Sequence, residues 1–350
     1  MNEIPLLGPH TYNDVDRAFW REHLKDWIPE SIIDAHVHIA DPALQIETIT
    51  DEIRRSYWVM ELSDMQDFKT YDHCYRTVFP GRTVSSIAFG MPNLGWDIES
   101  VNAYVAEGAR QRDSFSLAVV RPTWVAEQVR DLLRRPGVIG VKPYYSLIGY
   151  DRHGRDKHIE ASIYEFLPHH QLRVLDEYHA WVTLHVPRAG RLAHPDNLRE
   201  VREIRQRYPR IKLVIAHLGR SYTLPHAREG LLPLAGDEGL FFDISAVLNP
   251  EVLELALEHL GPQRLLYGTD NPVFYMRGRR QWSGTTYRNR TSQPFYFNTE
   301  REPPEIEAGY TLYMYEALRA LRRAVEKTGL DRDAIEDIFH RNAERLIRAR

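Results

Sequence analysis

The sequence has very little cysteine: Cys74 is the single one among 350 residues, so an internal disulfide is excluded. The first residues lack the basic and apolar segments of a secretory signal peptide. No apolar run approaches the ~20 residues that a transmembrane helix needs. These absences predict a soluble protein of the reducing cytoplasm, without a membrane partner.

Long runs of like charge are also absent. The 45 basic and 49 acidic residues are spread along the chain and leave a formal net charge of -4. This balance argues against general binding of nucleic acid or of a membrane surface, so we expect a small-molecule partner. The hydrophobic content of 43% is enough for the core of one large α/β domain.

Short apolar runs alternate with amphipathic segments, which is the pattern of βα units in a parallel sheet. Eight runs are predicted strands, at residues 31–38, 83–90, 115–122, 138–144, 181–186, 212–217, 240–245 and 264–270. Five segments are predicted helices, at residues 98–111, 123–134, 160–178, 197–208 and 250–259. Eight such units predict an α/β fold of the (β/α)8 TIM-barrel type. A doubly wound open sheet is the alternative, but no glycine-rich turn follows the first strand.

We expect a single domain over residues 1–350, with the eight βα units in residues 31–270. Residues 1–30 predict a helical lead-in to the barrel. Asn13 or Asp14 would cap that helix, because both side chains can accept a hydrogen bond from the first turn.

Two connections are too long for simple turns. Residues 42–80 predict a helix and a mobile loop over the site. Residues 271–305 form a long loop rich in aromatics, arginine and proline, and loops after barrel strands commonly carry binding residues. Helices at residues 306–328 and 331–348 are expected to close the chain in residues 306–350.

The first predicted strand ends in two histidines separated by one residue. Side chains alternate along a strand, so Asp34, His36 and His38 point to the same face. Imidazole is the commonest protein ligand for zinc and also suits related metals. Asp34 has no need to be a ligand and is expected to orient the strand or a neighbouring ligand. Paired histidines are often structural, so this motif alone indicates a metal site only weakly.

Titratable side chains also stand at the carboxyl ends of later strands. Lys142 ends the fourth strand, His185 the fifth and His217 the sixth, while Asp270 ends the eighth. Each could be structural by itself, and Asp270 could merely form an Asx turn. Because the carboxyl ends of barrel strands meet on one face, the set together predicts one active site.

Arginines near these strand ends predict recognition of an anion. Arg188 lies three residues after His185, and Arg220 lies three residues after His217. A guanidinium group can bind a carboxylate through two parallel hydrogen bonds. We therefore expect Arg188 and Arg220 to contact a carboxylate of the substrate, with Tyr144 in the wall of the site, although most arginines are solvated and most aromatics are core residues.

Five short stretches and a closing helix carry a family resemblance. They are Ile33-Asp34-Ala35-His36-Val37-His38, Gly140-Val141-Lys142-Pro143, Thr183-Leu184-His185-Val186, Ile215-Ala216-His217-Leu218-Gly219-Arg220, Leu266-Tyr267-Gly268-Thr269-Asp270 and Asn342-Ala343-Glu344-Arg345-Leu346. In this order they resemble the amidohydrolase superfamily, and within it the amidohydrolase-related (amidohydrolase 2) branch of metal-dependent TIM-barrel hydrolases and decarboxylases.

That resemblance implies roles for the strand-end residues. His36, His38, His185 and Asp270 would bind a divalent metal, most simply zinc, with manganese or another divalent ion as alternatives. Asp270 would also accept a proton from water and pass it to the leaving group. His217 would polarise the substrate carbonyl or hold the attacking water.

Lys142 leaves the number of metal ions open. In binuclear members of the superfamily, a lysine at the end of strand four is carboxylated and bridges two ions, with the histidines of strands five and six on the second. An unmodified ammonium group has no lone pair for a metal, and Lys142 would then neutralise a carboxylate of the site or of the substrate. We favour one ion, since a single metal is common in this branch.

We therefore expect a metal-dependent hydrolase that acts on a small amide, cyclic amide, ester or lactone carrying a carboxylate, through a metal-activated water. The alternative is non-oxidative decarboxylation of an aromatic or unsaturated acid at the same site. A nuclease is less favoured, because such barrels place glutamate where this chain has Lys142. A non-catalytic barrel would have lost ligands that are present here. The aromatic residues of the last long loop would suit a homodimer.

Overall fold

The computed structural model describes residues 3–56, 58–62, 64–149, 158–298 and 300–349. Within these residues, eight parallel strands form one sheet whose order follows the sequence. The strands are β1 (Ser31–His38), β2 (Thr83–Phe89), β3 (Phe115–Val119), β4 (Val138–Lys142), β5 (Trp181–Leu184), β6 (Lys212–Ile215), β7 (Phe241–Asp243) and β8 (Leu265–Leu266).

The sheet closes between β1 and the chain that continues from β8. The Ala35 amide donates to the carbonyl oxygen of Tyr267 over 2.9 Å, and the His38 amide donates to that of Asn271 over 2.9 Å. These bonds complete the hydrogen-bonded ring of strands, and the predicted (β/α)8 barrel is confirmed.

Apolar side chains of the strands fill the barrel. The buried cluster inside it includes Ile33, Ile87, Leu117, Trp181, Val214 and Leu266. Gly140 on β4 lets the next strand approach, because an added Cβ would lie 1.8 Å from the carbonyl oxygen of Trp181. Leu346 of the last helix belongs to the same cluster, so that helix covers the amino-terminal end of the barrel.

Helices follow most of the strands. They are Phe68–Val78, Ile98–Arg110, Ala126–Leu133, Ile163–Phe166, His169–Glu177, Pro195–Arg207, Leu224–Leu231 and Pro250–Leu260. Short 3-10 turns occur at Pro42–Leu44, Tyr145–Ile148, Arg191–Ala193, Leu232–Leu234, Pro262–Arg264 and Val273–Tyr275. The single helix predicted over residues 160–178 is two helices, because Pro168 between them has no amide hydrogen to continue the first.

The lead-in is only partly helical. Ile4–Pro5 pairs with Thr11–Tyr12 in a small antiparallel sheet, and a helix then runs from Asp14 to Phe19 and continues as a π-helix at Trp20–Leu24. Asn13 caps this helix, as one of the two predicted candidates, by accepting from the amide of Val15 over 3.0 Å.

The long connection after β1 contains helices, as predicted. They are Asp51–Ser56, Trp58–Leu62 and Phe68–Val78, and residues 57 and 63 lie outside the described residues. Val59 and Met65 of this connection border the cavity described below. The connection therefore covers part of the site, whereas its predicted mobility stays a prediction.

Residues 271–305 are more ordered than the predicted loop. They include an antiparallel hairpin of β9 (Gly278–Ser283) and β10 (Thr286–Thr291). Arg277 at its base donates to Asp16 over 2.8 Å, which joins the hairpin to the lead-in. This hairpin was not predicted, because its strands are rich in arginine and polar residues rather than apolar ones.

The closing helices differ from the prediction at their start. A short helix occupies Pro304–Glu307, and the long one runs from Tyr313 to Thr328, so the helix predicted over 306–328 is interrupted. Gly329 ends it in the left-handed conformation, with φ of 67°. The chain closes with Arg332–Glu336, a π-helix at Asp337–Arg341, and Asn342–Arg348.

Every barrel strand after β1 ends before its predicted end, and the last two are shortened most in proportion to their length. β7 ends at Asp243 and β8 ends at Leu266, whereas the apolar runs extended to Ser245 and Asp270. Beyond these points the backbone leaves the strand conformation, and φ is 61° at both Ala246 and Asp270. Among the described residues, none of the helices combines the length and apolar character required to cross a membrane.

Candidate active site

A cavity of about 250 Å³ opens at the carboxyl ends of the barrel strands. Its lining includes the predicted residues His36, His38, Lys142, Tyr144, His185, His217, Arg220 and Asp270. It also includes Met91, Tyr145, Arg191, Tyr222, Val273 and Tyr287. The structure thus brings together the strand-end side chains that the sequence places far apart.

The two histidines of β1 present their Nε2 atoms to the cavity. His36 Nδ1 lies 2.9 Å from a carboxylate oxygen of Asp243, and His38 Nδ1 lies 3.3 Å from the carbonyl oxygen of Gly90. Both partners are acceptors, so a neutral ring that donates from Nδ1 to its partner keeps a lone pair on Nε2 for a metal. This is the tautomer that a metal-binding histidine needs.

Asp270 completes a compact group of ligand atoms with these histidines. One of its carboxylate oxygens lies 3.4 Å from His36 Nε2 and 3.4 Å from His38 Nε2. The ligand atoms of the three residues lie within 4.8 Å of one another. Two imidazole nitrogens and a carboxylate oxygen form a donor set that suits zinc and similar divalent ions.

Asp270 is ionised at neutral pH. Burial raises its pKa, but its contacts with His217, His38 and His36 lower it by more, so the pKa of Asp270 lies below its ordinary value. The carboxylate is thus available as a ligand and as a proton acceptor.

Asp34 lies on the same strand but does not reach the cavity. Its carboxylate accepts hydrogen bonds from the Tyr75 hydroxyl over 2.6 Å, the Thr269 amide over 3.0 Å and the His36 amide over 3.2 Å. Burial raises the pKa of Asp34 to about 6. These contacts tie β1 to the residue before Asp270, which agrees with the expected orienting role.

Lys142 reaches the ligand group from β4. Its Nζ lies 3.3 Å from His36 Nε2 and 4.7 Å from the centre of the Phe89 ring. Burial lowers the pKa of Lys142 to about 8, against the opposing charges of Asp243 and Asp270. The amine therefore lies close enough to the ligand group for both predicted roles. It could supply a positive charge beside the ligands, or it could be carboxylated and bridge two ions.

His217 occupies an unusual turn after β6. The four residues His217, Leu218, Gly219 and Arg220 have φ values of 55°, 48°, 67° and 63°, which makes one left-handed turn. Such a conformation costs about 1–2 kcal/mol for each residue other than glycine. Strain of this kind persists where surrounding contacts hold it, and it clusters at functional sites.

Asp243 at the end of β7 supplies those contacts. Its Oδ1 accepts from the His217 amide over 3.0 Å and from the Ser245 amide over 3.1 Å, and it also accepts from the Ser245 hydroxyl. The other carboxylate oxygen lies 2.9 Å from His36 Nδ1. One buried carboxylate therefore positions two of the site's histidines. Sequence reasoning missed Asp243, which lies two residues before the end of the seventh predicted strand and at the end of the observed one.

His185 lies in the cavity wall, 5.4 Å from His217 between ring centres and 4.8 Å from Tyr144. It lies outside the compact group of ligand atoms formed by His36, His38 and Asp270. Its buried Nδ1 has no hydrogen-bond partner among the described residues. Burial, with a contribution from Arg220, lowers the pKa of His185 well below its ordinary value. A neutral ring with an unpartnered buried nitrogen fits a metal ligand, and this role stays a prediction.

The structure corrects the expectation for Arg188. Its guanidinium lies 3.4 Å from Glu200 and donates to Asn197 over 3.1 Å, both on the helix after β5. Arg188 does not belong to the described lining of the cavity. Arg188 therefore forms an ion pair within the protein and is not positioned to bind substrate. The spacing from His185 could not show this, because the partner Glu200 lies on the following helix.

Arg220 and Tyr144 line the cavity, as expected for substrate contacts. Arg220 donates to the carbonyl oxygen of Arg188 over 2.8 Å, which fixes its side chain at the rim. Arg191, Tyr222 and Tyr287 line it as well, and the sequence interpretation did not select them. The sequence gives only a weak indication of their place in the cavity. Each lies in a connection after a strand, and those connections contain many other arginines and tyrosines.

Solved structures of similar fold include several hydrolases. A probable 2-pyrone-4,6-dicarboxylic acid hydrolase from Acinetobacter baumannii, with citric acid bound, is 16% identical, with a TM-score of 0.56 over 90% of this chain and 98% of that one. An amidohydrolase from Burkholderia multivorans with bound zinc is 15% identical, with a TM-score of 0.57 over 90% and 98%.

A decarboxylase also shares the fold. The 5-carboxyvanillate decarboxylase from Novosphingobium aromaticivorans, complexed with manganese and 4-hydroxy-3-methoxy-5-nitrobenzoic acid, is 13% identical, with a TM-score of 0.54 over 91% of this chain and 96% of that one. At these identities the likeness shows the fold, which hosts more than one reaction.

Sequence comparison identifies the family. No curated protein sequence gives a significant match. A family model described as amidohydrolase matches residues 33–349, from within β1 to the end of the last helix. This match spans the strand-end histidines, Lys142 and Asp270, and the chain therefore belongs to the amidohydrolase family.

Proposed function

We propose that this chain is a metal-dependent hydrolase of a small carbonyl compound, an amide, cyclic amide, ester or lactone that carries a carboxylate. The observation that carries the proposal is the convergence of His36, His38 and Asp270 in the cavity, with ligand atoms within 4.8 Å of one another. A donor set of this kind at the carboxyl face of a barrel is typical of metal-assisted hydrolysis.

His36, His38 and Asp270 would hold the ion, with His185 as a further ligand. A divalent cation in this position polarises a carbonyl and lowers the pKa of water toward ~7. We favour zinc over manganese because of the two imidazoles, and one ion over two. Asp243 supports the site by holding His36 in the ligand tautomer through the 2.9 Å contact at Nδ1.

Asp270 is the proposed proton acceptor. Its pKa lies below the ordinary value, so the carboxylate is ionised at neutral pH, and one of its oxygens lies 3.4 Å from both His36 Nε2 and His38 Nε2. It would take a proton from the attacking water and deliver it to the leaving nitrogen or oxygen.

His217 is proposed to orient that water. Its Nδ1 lies 3.1 Å from the carbonyl oxygen of Ser245, a pure acceptor, so the ring proton lies on Nδ1. Burial lowers the pKa of His217, which keeps the ring neutral. A neutral ring with its proton on Nδ1 can only accept at Nε2, and this favours the water-holding role over polarisation of the carbonyl.

The cavity would select a small anionic substrate. Its volume of about 250 Å³ suits a compact molecule. Met65, Met91 and Val273 supply apolar wall, Tyr144 packs beside His185, and Lys142 and Arg220 supply positive charge for a carboxylate.

A substrate screen tests the reaction. Zinc-loaded protein would be incubated with pooled lactones, amides and aromatic acids, with acid release and carbon dioxide measured in parallel. We expect acid release that depends on metal and is lost in Asp270→Asn. Both hydrolases and decarboxylases share this fold, so release of carbon dioxide without hydrolysis would replace the proposal with decarboxylation.

A further inference from the structure

Three guanidinium groups have no carboxylate partner among the described residues: Arg191 and Arg220 line the cavity, and Arg280 is buried against the same Tyr287 ring as Arg191. Arg191 donates to the carbonyl oxygen of Arg220 over 3.3 Å and lies 3.2 Å from His226 Nδ1. Arg220 donates to the carbonyl oxygen of Arg188 over 2.8 Å. Arg280 donates to a side-chain amide oxygen over 2.9 Å and a backbone carbonyl over 2.8 Å. All of these acceptors are neutral.

The buried arginines elsewhere in the described part of the chain are of two kinds: Arg264 donates to backbone carbonyl oxygens only, whereas Arg188 and Arg277 have a carboxylate partner. Arg188 lies 3.4 Å from the carboxylate of Glu200, and Arg277 donates to Asp16 over 2.8 Å. A buried cation is costly unless a counter-charge accompanies it. Arg191 and Arg220 line the cavity, so a molecule in the cavity can meet positive charge that no carboxylate of the described residues neutralises.

Two tyrosines hold the guanidinium groups in place. Arg191 lies 5.4 Å from the ring centre of Tyr222 and 5.6 Å from that of Tyr287. Arg280 lies 5.1 Å and 4.5 Å from the same two rings, which meet edge to face. Cation–π contacts position a guanidinium without neutralising it.

Arg191 and the two tyrosines share the cavity with the ligand group but come from other parts of the fold. Arg191 follows β5, Tyr222 follows β6 and Tyr287 lies on β10 of the hairpin. All three line the cavity together with His36 and Asp270. A molecule that fills the cavity can thus have its reacting group at the histidines and an anionic group at the tyrosines.

We propose that Arg191, Tyr222 and Tyr287 form a subsite for a second carboxylate of the substrate, one that does not react. The proposal rests on the proposed function and deepens it: the substrate is a dicarboxylate, with Arg220 and Lys142 serving the carboxylate nearer the metal. Arg191 is the specificity-determining residue, because its planar fork matches a carboxylate. The hairpin takes part by presenting Tyr287.

Binding of small acids tests the subsite without requiring turnover. Zinc-loaded protein would be titrated calorimetrically with glutarate, with its monoamide glutaramate, and with 4-phosphonobutyrate. Glutarate and glutaramate differ by one charge at nearly equal size. We expect glutarate to bind about 10- to 100-fold more tightly, the range for hydrogen bonds to charged groups.

Variants locate this preference. In Arg191→Gln we expect the two acids to bind within about threefold of each other, whereas Arg202→Gln, an exposed arginine that donates to Pro233, keeps the full preference. Tyr287→Phe retains the ring and removes one hydroxyl, and we expect it to reduce the preference about 3- to 10-fold. Melting temperatures would establish that each variant is folded. If Arg191→Gln does not fold, the preference measured in Tyr287→Phe tests the subsite.

The outcomes separate the subsite from the reaction. Equal binding of glutarate and glutaramate by the wild type, or a preference that survives in both variants, would overturn the subsite even if hydrolysis is found. Tighter binding of 4-phosphonobutyrate than of glutarate would overturn a carboxylate as its ligand. An Arg191-dependent preference for glutarate would support the subsite even if no ester, lactone or amide is hydrolysed.

Discussion

The two sides of the cavity are built in different ways. On the ligand side, His36 and His38 stand on β1 and Asp270 follows β8. The buried carboxylate of Asp243 holds His36, and that of Asp34 holds the residue before Asp270. On the anion side, Arg191 and Tyr287 come from a loop and a hairpin, held by ring contacts rather than by counter-charges.

This difference separates chemistry from recognition. Strands of a barrel fix their side chains in a layer, so the ligand side can hold reacting groups with little freedom. Loops and hairpins vary without disturbing the barrel, so the anion side can change its ligand. Arg191, which has no carboxylate partner among the described residues, lines the cavity and is therefore accessible to a ligand.

Removal of the proposed proton acceptor should give the largest effect. Asp270→Asn keeps the size of the side chain but loses its basicity, and we expect kcat to fall by roughly 10²- to 10⁴-fold. Steady-state kinetics on the hydrolysed substrate would measure it, with the exposed Asp131→Asn as the matched control. Full activity in Asp270→Asn would break the assignment of chemistry to the ligand side.

Two neighbouring arginines give a direct contrast between paired and unpaired charge. Arg188→Met removes the nearer guanidinium from the buried carboxylate of Glu200 and leaves it Arg199 at 3.6 Å, so we expect unfolding to become about 1–3 kcal/mol easier. Arg191→Met strands no carboxylate, and we expect a KM increase of roughly 10- to 100-fold with little loss of stability. Denaturant unfolding and kinetics on both variants would measure this, and the reverse pattern would contradict the distinction.

Substitution of Asp243 tests whether a residue that does not bind the metal itself holds the ligands in position. Asp243→Asn cannot accept from His36 Nδ1 and both backbone amides as a carboxylate does, so we expect metal affinity to fall about 10- to 100-fold. Competition with a chromogenic chelator would measure it. Ser245→Ala, which removes one hydroxyl contact with the same carboxylate, should have a smaller effect. Equal metal affinity in Asp243→Asn and the wild type would refute this supporting role.

His10 provides a pH-dependent test of the segments around the cavity. It is buried, its Nε2 lies 2.7 Å from the Leu62 carbonyl oxygen, and burial lowers its pKa from 6.5 to about 4. His10 therefore binds a proton more readily in the unfolded chain than in the folded protein. Its contribution to the free energy of unfolding is fully present above pH 6.5 and is lost as the pH falls toward 4. We expect His10→Gln to reduce this loss by about 1–3 kcal/mol. Urea unfolding between these pH values would measure the loss of stability. If the free energy of unfolding of His10→Gln falls with pH as steeply as that of the wild type, His10 is not the group responsible.

The sequence predicted the ligand side better than the anion side for a physical reason. His36, His38, His185, His217 and Asp270 are displayed by short apolar strands, and the end of a strand can be recognised from local periodicity. The barrel follows from the same signal. The roles of these residues at a metal stay predictions.

The anion side could not be predicted in the same way, because it depends on contacts between segments that are distant in the sequence. A local sequence pattern does not show such contacts. Arg188 and Arg191 are three residues apart, yet only Arg188 meets the buried Glu200. Tyr287 reaches the cavity because an unpredicted hairpin folds over it. Asp243 acts through histidines on two other strands, so its importance appears only when the barrel closes.

Metal content tests the central claim most directly. Protein purified without chelator would be analysed by plasma mass spectrometry as the wild type, His36→Ala, His38→Ala and His194→Ala, a histidine outside the described lining of the cavity. We predict about one divalent ion per chain in the wild type and in His194→Ala, and loss of that ion in both β1 variants. Substoichiometric metal that His36→Ala and His38→Ala leave unchanged would contradict a metal centre on β1.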